Sequence, residues 1–275
     1  MSVNSKVVLV TGCTTGGIGY HIADEFGKNG CIVYATSRRV ETMDFTNPQV
    51  RTLAMDVTSD ESVQSTIEEI VKREGKIDIV VNNAGIWVVA PLVDHTVEQA
   101  KTIFDTNVLS FLRTTKAVLP HMAARKKGLI INIGSLDGQI ATPFSGFYDA
   151  SKAALHSLTD VLAMEARPLG VDVMLIAPGT VSSNIIDNTA NNSRLPANSL
   201  YKPYEQKVLD RLYFATTMPG TWTSERFAVE TVKRALKPKP PSYWSAGGAS
   251  WKMYLLRWLP RWLVLSILWK SLGAN

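Results

Sequence analysis

The sequence predicts an α/β fold in which helices cover both faces of a doubly wound, mostly parallel sheet. Short β-rich runs alternate with helical patterns through the first two thirds of the chain. A glycine-rich stretch, TGCTTGGIG at residues 11–19, joins the first β-rich run to the first helical pattern. The composition, 45% hydrophobic and 19% charged in 275 residues, is that of a folded protein large enough for a substantial core. These observations favour a single α/β domain.

The elements follow in order along the chain. The β-rich runs lie at 6–11, 31–36, 51–55, 77–82, 129–134 and 171–177, and the helical patterns at 18–29, 60–73, 97–124 and 147–166. Regular alternation ends after Gly179. We therefore expect a catalytic domain over residues 1–250, in which the loop-rich span 180–223 forms a lid over the substrate.

The glycine-rich stretch begins at the carboxyl end of a predicted strand, where parallel sheets bind their ligands. Glycines let the backbone approach the phosphates of a dinucleotide, and a helix N-terminus offers N–H groups to them. However, four residues separate Gly12 from Gly17, and Gly16 and Gly17 form a doublet. This spacing fits no familiar fingerprint, so the stretch alone is compatible with a phosphate site or with a tight turn.

The ends of the second and third β-rich runs carry charged residues. Arg38 and Arg39 follow the second run, and the next acidic residue is Glu41. Arginine at this place favours the 2′-phosphate of NADP, whereas an acid would favour NAD. The alternative is two solvated loop arginines. Asp56 ends the third run, and it suits either the adenine amino group or the cap of the next helix.

A tyrosine and a lysine lie four residues apart in the fourth helical pattern. This spacing places Tyr148 and Lys152 on one helix face, and Ser135 precedes the tyrosine by 13 residues at the end of a β-rich run. A phenol ordinarily titrates near pH ~10, and a neighbouring ammonium lowers that pKa. A serine hydroxyl nearby can bind a carbonyl oxygen. The pair alone is usually helix surface, but the set indicates acid–base chemistry.

Taken together, these motifs resemble the short-chain dehydrogenase/reductase family from residue 6 to about 183. The matching pieces include the glycine stretch, NNAG at 82–85, Asn107 in FDTNV, Ser135 with Tyr148-x-x-x-Lys152, and PGTVSS at 178–183. The resemblance implies a Rossmann fold and an NADP(H)-dependent oxidoreductase acting on a small-molecule alcohol or ketone. It favours the phosphate-site interpretation of the glycine stretch.

The resemblance also implies a role for each matching residue. Tyr148 would be the proton donor, Lys152 would lower its pKa and bind the nicotinamide ribose, Ser135 would orient the carbonyl, and Asn107 would hold a relay water. The residues expected at the cofactor are Gly12, Gly17, Ile18, Gly19, Arg38, Arg39, Asp56, Asn83, Lys116, Tyr148, Lys152, Val181 and Ser183. The family usually has three residues between the first two glycines and often has threonine in place of Ser183. No metal site and no histidine chemistry are expected.

The C-terminal segment is rich in tryptophan. Trp251, Trp258, Trp262 and Trp269 are spaced by seven, four and seven residues. Pro260 divides the segment into two short helices and is expected in the first turn of the second. The apolar run 262–269 is too short to span a bilayer, and basic residues flank it. Residues 251–275 are thus predicted to form an amphipathic tail whose part 251–272 lies on a membrane surface. The alternative is a helix that packs on the substrate pocket or on a dimer partner.

The TSRR motif and this tail resemble the branch of NADPH-dependent 1-acyldihydroxyacetone-phosphate reductases, with steroid, retinol, polyketide and terpenoid reductases as relatives. A phosphate-bearing substrate would suit cations in the lid, and Arg194, Lys202, Lys207 and Arg211 are candidates. Alternatively, these are solvated charges.

The resemblance and the composition also bear on partners and location. Relatives commonly form homodimers through the helices that carry Asn107 and Tyr148. The net charge of +5 without a basic run argues against nucleic-acid binding. Two cysteines and no apolar N-terminal segment favour the cytosol or the cytoplasmic face of the endoplasmic reticulum or a lipid droplet. A non-catalytic NADP-binding sensor or scaffold is the rival class, disfavoured because Ser135, Tyr148, Lys152 and Asn107 are all present.

Overall fold

The centre of the protein is a parallel sheet of seven strands. The computed structural model describes residues 5–183, 185, 195–248 and 250–273. The sheet has the order β3-β2-β1-β4-β5-β6-β9. Its strands are β1 Val7–Thr11, β2 Ile32–Ser37, β3 Val50–Ala54, β4 Ile79–Asn82, β5 Gly128–Ile133, β6 Val171–Pro178 and β9 Tyr243–Ala246. The chain reverses its direction of winding between β1 and β4, so the predicted doubly wound Rossmann fold is confirmed.

The central strands are buried on both faces, and this explains their composition. All five residues of β1, VVLVT, are buried, as are the four of β4, IVVN. Parallel strands covered by helices on both sides read as continuous apolar runs for this reason. Polar residues appear only where these strands end, at Thr11 and Asn82. These strand ends define one edge of the sheet, which carries the candidate site.

Helices form a layer on each face of the sheet. The helices are α1 Ile18–Lys28, α2 Asp60–Glu74, α3 Val97–Phe104, α4 Ser110–Ala124, α5 Gly146–Ala166, α6 Glu205–Thr217, α7 Ser224–Ala235, α8 Ser250–Leu256 and α9 Arg261–Leu272. Helices α1 and α7 pack on one face, and α2, α4 and α5 pack on the other.

Capping residues determine where some of these helices begin. Ser59 accepts from the Ser62 amide before α2, and Thr96 forms a capping box with Gln99 before α3.

The structure differs from the sequence expectations at three places. The expected helix 97–124 is interrupted by a π-helical turn, Asp105–Leu109, between α3 and α4. Alternation resumes after the lid, because α7 leads to β9, which pairs in parallel with β6. In the tail, Pro260 precedes α9 as its N-cap instead of lying in its first turn.

The lid span 180–223 contains more regular structure than expected. Two short strands, β7 Val181–Ser182 and β8 Trp222–Thr223, pair in parallel and close its base. Helix α6 lies between them. Residues 184 and 186–194 fall outside the described residues. The candidate cation Arg194 is among them.

Candidate active site

The glycine stretch forms a tight turn between β1 and α1. Gly12 has a φ of +73°, and a Cβ there would lie 2.8 Å from the Cα of Ala84. A Cβ on Gly19 would lie 2.4 Å from Nδ2 of Asn83, which donates to the carbonyls of Thr11 (2.9 Å) and Gly12 (3.1 Å). Glycine is therefore required at both positions by close packing. Asn83 acts as a clamp on the turn.

Contacts of Thr15 explain why four residues, and not three, separate Gly12 from Gly17. The Thr15 amide donates to the Thr42 carbonyl at 2.9 Å, and the Asp44 amide donates to Oγ1 of Thr15 at 2.9 Å. The longer turn thus bulges toward the segment 39–44 and is fixed to it. This segment begins with Arg39, the second of the two arginines at the end of β2. Gly17 then precedes α1 without a side-chain cap, so the first amides of the helix face the turn.

Arg38 and Arg39 are exposed at the end of β2, and Asp56 lies close by. The Asp56 carboxylate accepts from the amide (2.9 Å) and the hydroxyl (2.7 Å) of Thr58. Burial alone would raise the pKa of Asp56, but these bonds and the charges of Arg38 and Arg113 hold it below its ordinary value. The cap of α2 is Ser59, so the capping interpretation of Asp56 is wrong.

Ser135, Tyr148 and Lys152 come together at the carboxyl end of β5. The hydroxyl group of Ser135 lies beside that of Tyr148, close enough to lower the pKa of the phenol. Nζ of Lys152 lies 5.7 Å from the centroid of the Tyr148 ring and donates to the Ile133 carbonyl at 2.8 Å. Helix α5 presents Tyr148 and Lys152 on one face, as their spacing predicts. The structure therefore unites a phenol, a hydroxyl and an ammonium in one buried site.

The pKa values in this site are governed by burial. Burial, together with the carboxylate of Asp137, raises the pKa of Tyr148 above its ordinary value, against the lowering effect of the Ser135 hydroxyl. Burial lowers the pKa of Lys152 to about 8. The direction for Tyr148 is opposite to the one expected from the Tyr–Lys pair, because burial and the carboxylates of Asp137 and Asp149 govern the pKa of the phenol. The phenol consequently stays protonated at neutral pH.

Asn107 lies in the π-helical turn, which directs its side chain inward. Its Nδ2 donates to the Ile86 carbonyl (2.9 Å) and to Oγ of Ser151 (3.0 Å), and its Oδ1 accepts from the Ile86 amide at 2.8 Å. The amide thus ties the segment after β4 to α5, beside Lys152. The role expected for Asn107 in a water relay stays a prediction.

Of the four remaining residues expected at the cofactor, three lie near the site and one lies away from it. Ile18 is the first residue of α1, Val181 is buried in β7, and Ser183 follows that strand. These three lie in elements that follow the carboxyl ends of β1 and β6. Lys116 is exposed on α4, two residues beyond Thr114, which faces the sheet and donates to Asn82. The structure does not bring Lys116 to the site.

His156 is a site residue that the sequence reasoning missed. Its Nε2 accepts a hydrogen bond from the Ser135 amide at 3.3 Å. Burial, with the charges of Lys152 and Arg257, lowers its pKa to about 4, so the ring is a neutral acceptor. A Cβ on Gly134 would lie 2.2 Å from Nε2 of His156, so only glycine fits beside the histidine ring at that position. The signal was present: His156 follows Lys152 by four residues and shares its helix face.

Comparison with known proteins agrees with this geometry. The profile of the short chain dehydrogenase family matches residues 6–194. The chain belongs to the short-chain dehydrogenase/reductase family. It is therefore an oxidoreductase by family, and the expected resemblance is confirmed.

Three relatives illustrate the chemistry found within this similarity. The chain is 38% identical to an NADPH-dependent 1-acyldihydroxyacetone phosphate reductase of Schizosaccharomyces pombe over 74% of this chain and 71% of the relative. It is 33% identical to short-chain dehydrogenase RED1 of Pyricularia oryzae over 89% and 86%. It is 36% identical to a 3-ketodihydrosphingosine reductase of Bacteroides thetaiotaomicron over 66% of each chain.

Solved structures of the family superpose well. A short-chain dehydrogenase from Streptomyces avermitilis has a TM-score of 0.80 at 27% identity, covering 98% of this chain and 97% of the other. ElxO with NADP bound has a TM-score of 0.74 at 27% identity, covering 90% and 100%. A closed form of serine dehydrogenase complexed with NADP+ has a TM-score of 0.75 at 26% identity, covering 87% and 94%.

Proposed function

We propose that the protein is an NADP(H)-dependent reductase that transfers a hydride to the ketone of an apolar, lipid-like substrate, with Tyr148 as the proton donor. The observation that carries this proposal is the convergence of the Ser135 and Tyr148 hydroxyl groups beside the buried Lys152, at the same sheet edge as the glycine turn. The phenol is protonated at neutral pH, so it has a proton to donate. A hydroxyl next to it can bind the oxygen that receives the proton.

The residues present fit a phosphorylated dinucleotide. Close packing requires glycine at positions 12 and 19 of the turn, and the uncapped start of α1 offers backbone N–H groups to a pyrophosphate. Arg38, exposed near Asp56, would bind the 2′-phosphate with Arg39. Among the similar structures, ElxO and serine dehydrogenase hold NADP, and the S. pombe relative is NADPH-dependent. Val181 and Ser183 would bind the nicotinamide amide.

When bound, NADPH supplies the hydride that is added to the carbonyl carbon. The protein's own residues then complete the reduction. Ser135 donates to the carbonyl oxygen and orients it, and Tyr148 transfers its phenolic proton to that oxygen as negative charge develops there. Lys152 contributes positive charge near the phenolate that is left and binds the nicotinamide ribose. In the reverse direction Tyr148 takes the proton from an alcohol.

Tyr148 packs against apolar side chains, which supports an apolar substrate. Tyr148 is packed against a cluster of buried residues from the loops after β4 and β5 and from the lid. Its buried members are Trp87, Val89, Phe144, Leu195, Val208 and Leu212. Hydrophobic walls with a few converging polar groups are typical of small-molecule sites.

The 1-acyldihydroxyacetone-phosphate type of ketone is our first candidate, because the S. pombe relative acts on it by name. Two described lid cations are already compensated by carboxylates: Lys202 is paired with Glu205 at 2.8 Å, and Arg211 is buried beside Asp137. Lys207 is exposed. This arrangement favours, as the alternative, a ketone without phosphate, such as a steroid, retinal-like, polyketide or terpenoid ketone.

The test is a panel of ketones with NADPH, read by cofactor absorbance. It includes a long-chain acyldihydroxyacetone phosphate, its phosphate-free counterpart and a steroid ketone, and a lipid extract analysed before and after incubation. We expect turnover on at least one apolar ketone. Preference for the phosphorylated compound over its phosphate-free counterpart would show that the enzyme recognises the phosphate group of its substrate. Cofactor binding without turnover on any ketone or extract would favour a non-catalytic redox sensor or scaffold.

Arg38→Asp is expected to weaken NADPH binding at least about tenfold and to narrow the preference over NADH. A charge-assisted hydrogen bond to phosphate contributes about 1.5–3 kcal/mol, and the substituted carboxylate also repels that group. Titration of cofactor fluorescence measures both affinities. Lys72→Asp, an equal charge change on α2, is the control and should leave them unchanged. Use of NADH as readily as NADPH by the unaltered protein would contradict the role of Arg38.

We further propose a homodimer formed through α4 and α5. These helices and the last residue of the π-helical turn expose large apolar side chains: Leu109, Leu112, Leu158, Val161 and Met164, which is 68% exposed. Exposed apolar surface can mark an association site. Met164→Glu would place a charge among these side chains. Light scattering should then show a dimer for the unaltered protein and a monomer for the variant, whereas a monomer in both cases would contradict the proposal.

A peripheral attachment to membrane through residues 251–272 completes the proposal. Within the described residues, no helix is both long enough and apolar enough to cross a bilayer. The tail exposes Trp251 by 66%, Trp258 by 77% and Trp262 by 70%, next to the basic residues Arg257 and Arg261. Tryptophan beside arginine is typical of segments at the lipid–water interface. Such a site would be the cytoplasmic face of the endoplasmic reticulum or a lipid droplet.

A further inference from the structure

Arg211 is a buried cation that reaches from the lid toward the active site. It lies on α6, and its side chain is 6% exposed. Its helix neighbours Val208 and Leu212 belong to the apolar cluster over Tyr148. Burying a guanidinium in such surroundings is costly unless other groups compensate it. The identity of those groups therefore indicates what the arginine does.

The guanidinium contacts three segments that surround the site. Its Nη2 lies 3.6 Å from Oδ2 of Asp137 and donates to Oγ1 of Thr142 at 3.1 Å. Its Cζ lies 5.2 Å from the ring centroid of Trp87, within the range of a cation–π interaction. These partners come from the segment after β5, the segment before α5 and the segment after β4. One lid side chain thus joins α6 to all three.

Each partner contacts a catalytic residue or the residue next to one. The amide of Asp137 donates to Oγ of Ser135 at 3.1 Å. Thr142 donates from its amide to Oδ2 of Asp149, the residue after Tyr148, at 2.6 Å. The ring of Trp87 lies 6.1 Å from that of Tyr148. A displacement of the guanidinium would therefore reach Ser135 through a single residue.

We propose that Arg211 and Asp137 form a latch that holds the lid helix α6 against the active site and fixes Ser135 for the reaction. Arg211 is in this sense a positioning residue. The ion pair keeps the Asp137 amide directed at Ser135, so that the serine hydroxyl is aligned with the substrate oxygen. The latch rests on the proposed reductase function and adds to it the way in which the lid is coupled to the chemistry.

The chemistry of the two side chains makes specific variants informative. Arg211→Met retains the apolar stem and removes the charge, whereas Arg211→Lys retains the charge and loses the planar fork. Asp137→Asn removes the other partner. Combining Arg211→Met with Asp137→Asn gives a double-mutant cycle, in which partners of one pair show strongly non-additive effects. Asp210→Asn removes an exposed charge from the adjacent position of α6 and serves as the control.

We expect Arg211→Met to lower kcat at least about tenfold, with NADPH affinity within about twofold of the unaltered protein. Arg211→Lys should recover part of that loss, and the double variant should be no worse than the poorer single one. Loss of kcat that tracks loss of NADPH binding, an equal loss in Asp210→Asn, or no loss in Arg211→Met would overturn the positioning role. Comparison of melting temperatures separates a general loss of stability from these effects.

Hydrogen exchange tests the latch without any turnover. Amides of α6 should exchange at least about tenfold faster in Arg211→Met than in the unaltered protein, because the lid helix opens more often. Asp210→Asn should leave their exchange unchanged. Unaltered exchange in Arg211→Met would overturn the latch whatever the activity. If the unaltered protein turns over no ketone, the reductase function fails, and exchange alone then decides whether the latch exists.

Discussion

Tyr148→Phe is expected to lower kcat/KM for ketone reduction by about a hundred- to ten-thousand-fold, the usual contribution of a positioned general acid. The substitution keeps the ring and removes the phenolic hydroxyl that lies beside the hydroxyl of Ser135. No other phenol is placed with Ser135 by the described residues, so the carbonyl oxygen has no equivalent donor. NADPH affinity should change little because the ring still packs beside Trp87.

The measurement is steady-state kinetics with the preferred ketone, together with direct titration of NADPH. Tyr204→Phe, which removes a hydroxyl from an exposed tyrosine, is the matched control and should retain full activity. Residual activity above a few per cent in Tyr148→Phe would contradict the assignment of the proton donor. A loss explained entirely by weaker NADPH binding would contradict it as well.

Lys152→Ala provides a contrast, because this side chain is assigned two tasks. Both kcat and NADPH affinity should fall, the first through lost stabilisation of the phenolate and the second through lost ribose contact. Its Nζ also satisfies the Ile133 carbonyl at 2.8 Å, so its removal leaves a buried acceptor unpaired. Equal damage to cofactor affinity in Tyr148→Phe and Lys152→Ala would mean that the two roles are wrongly assigned.

The sequence was sufficient for the parts of the site that local rules determine. In a strand–turn–helix segment the glycines determine the backbone conformation locally, and helical spacing alone places a Tyr–Lys pair on one face. Parallel topology then requires the ends of β1, β4 and β5 to meet at one edge. This is why Ser135 and Tyr148 could be associated across 13 residues, and the structure places their hydroxyl groups beside each other.

The parts that sequence reasoning missed depend on burial and on long-range packing. The pair Arg211–Asp137 joins positions separated by 74 residues, and only the fold of the lid brings them together. The pKa of Tyr148 depends on burial and on the carboxylates of Asp137 and Asp149. The spacing of Tyr148 and Lys152 contains no information on either effect. Strand β9 was missed because YWSA is short and occupies the edge of the sheet.

Replacing Trp258 and Trp262 with glutamine is expected to release the protein from anionic vesicles. These side chains are 77% and 70% exposed, so they contribute little to the folded core and are available to lipid. A large apolar side chain contributes about 1.5–3 kcal/mol when fully buried. Losing two that are partly inserted at an interface, about 2–4 kcal/mol in total, lowers the partition coefficient roughly thirty- to thousandfold.

The tail also has an inward face, and this decides the design of the experiment. Leu268 is buried, and the ring of Trp269 lies 6.4 Å from that of Phe144, a member of the cluster over Tyr148. The inward face packs on the protein, as the alternative interpretation expects, and the outward face is exposed. Truncation after Gly248 would remove both faces at once and uncover the cluster. The double substitution removes only the outward face, so NADPH binding should be retained.

Vesicle sedimentation at low and high salt measures the effect. The unaltered protein should pellet with anionic vesicles and be partly released by salt, because each basic residue near such a surface adds about 1 kcal/mol that ions screen. Val229→Gln, a change of an exposed apolar residue on α7, should leave the pelleted fraction unchanged. If the tryptophan variant pellets as well as the unaltered protein, the outward face does not bind lipid. If it loses NADPH binding instead, those tryptophans support the fold, and the membrane interpretation of the tail is wrong.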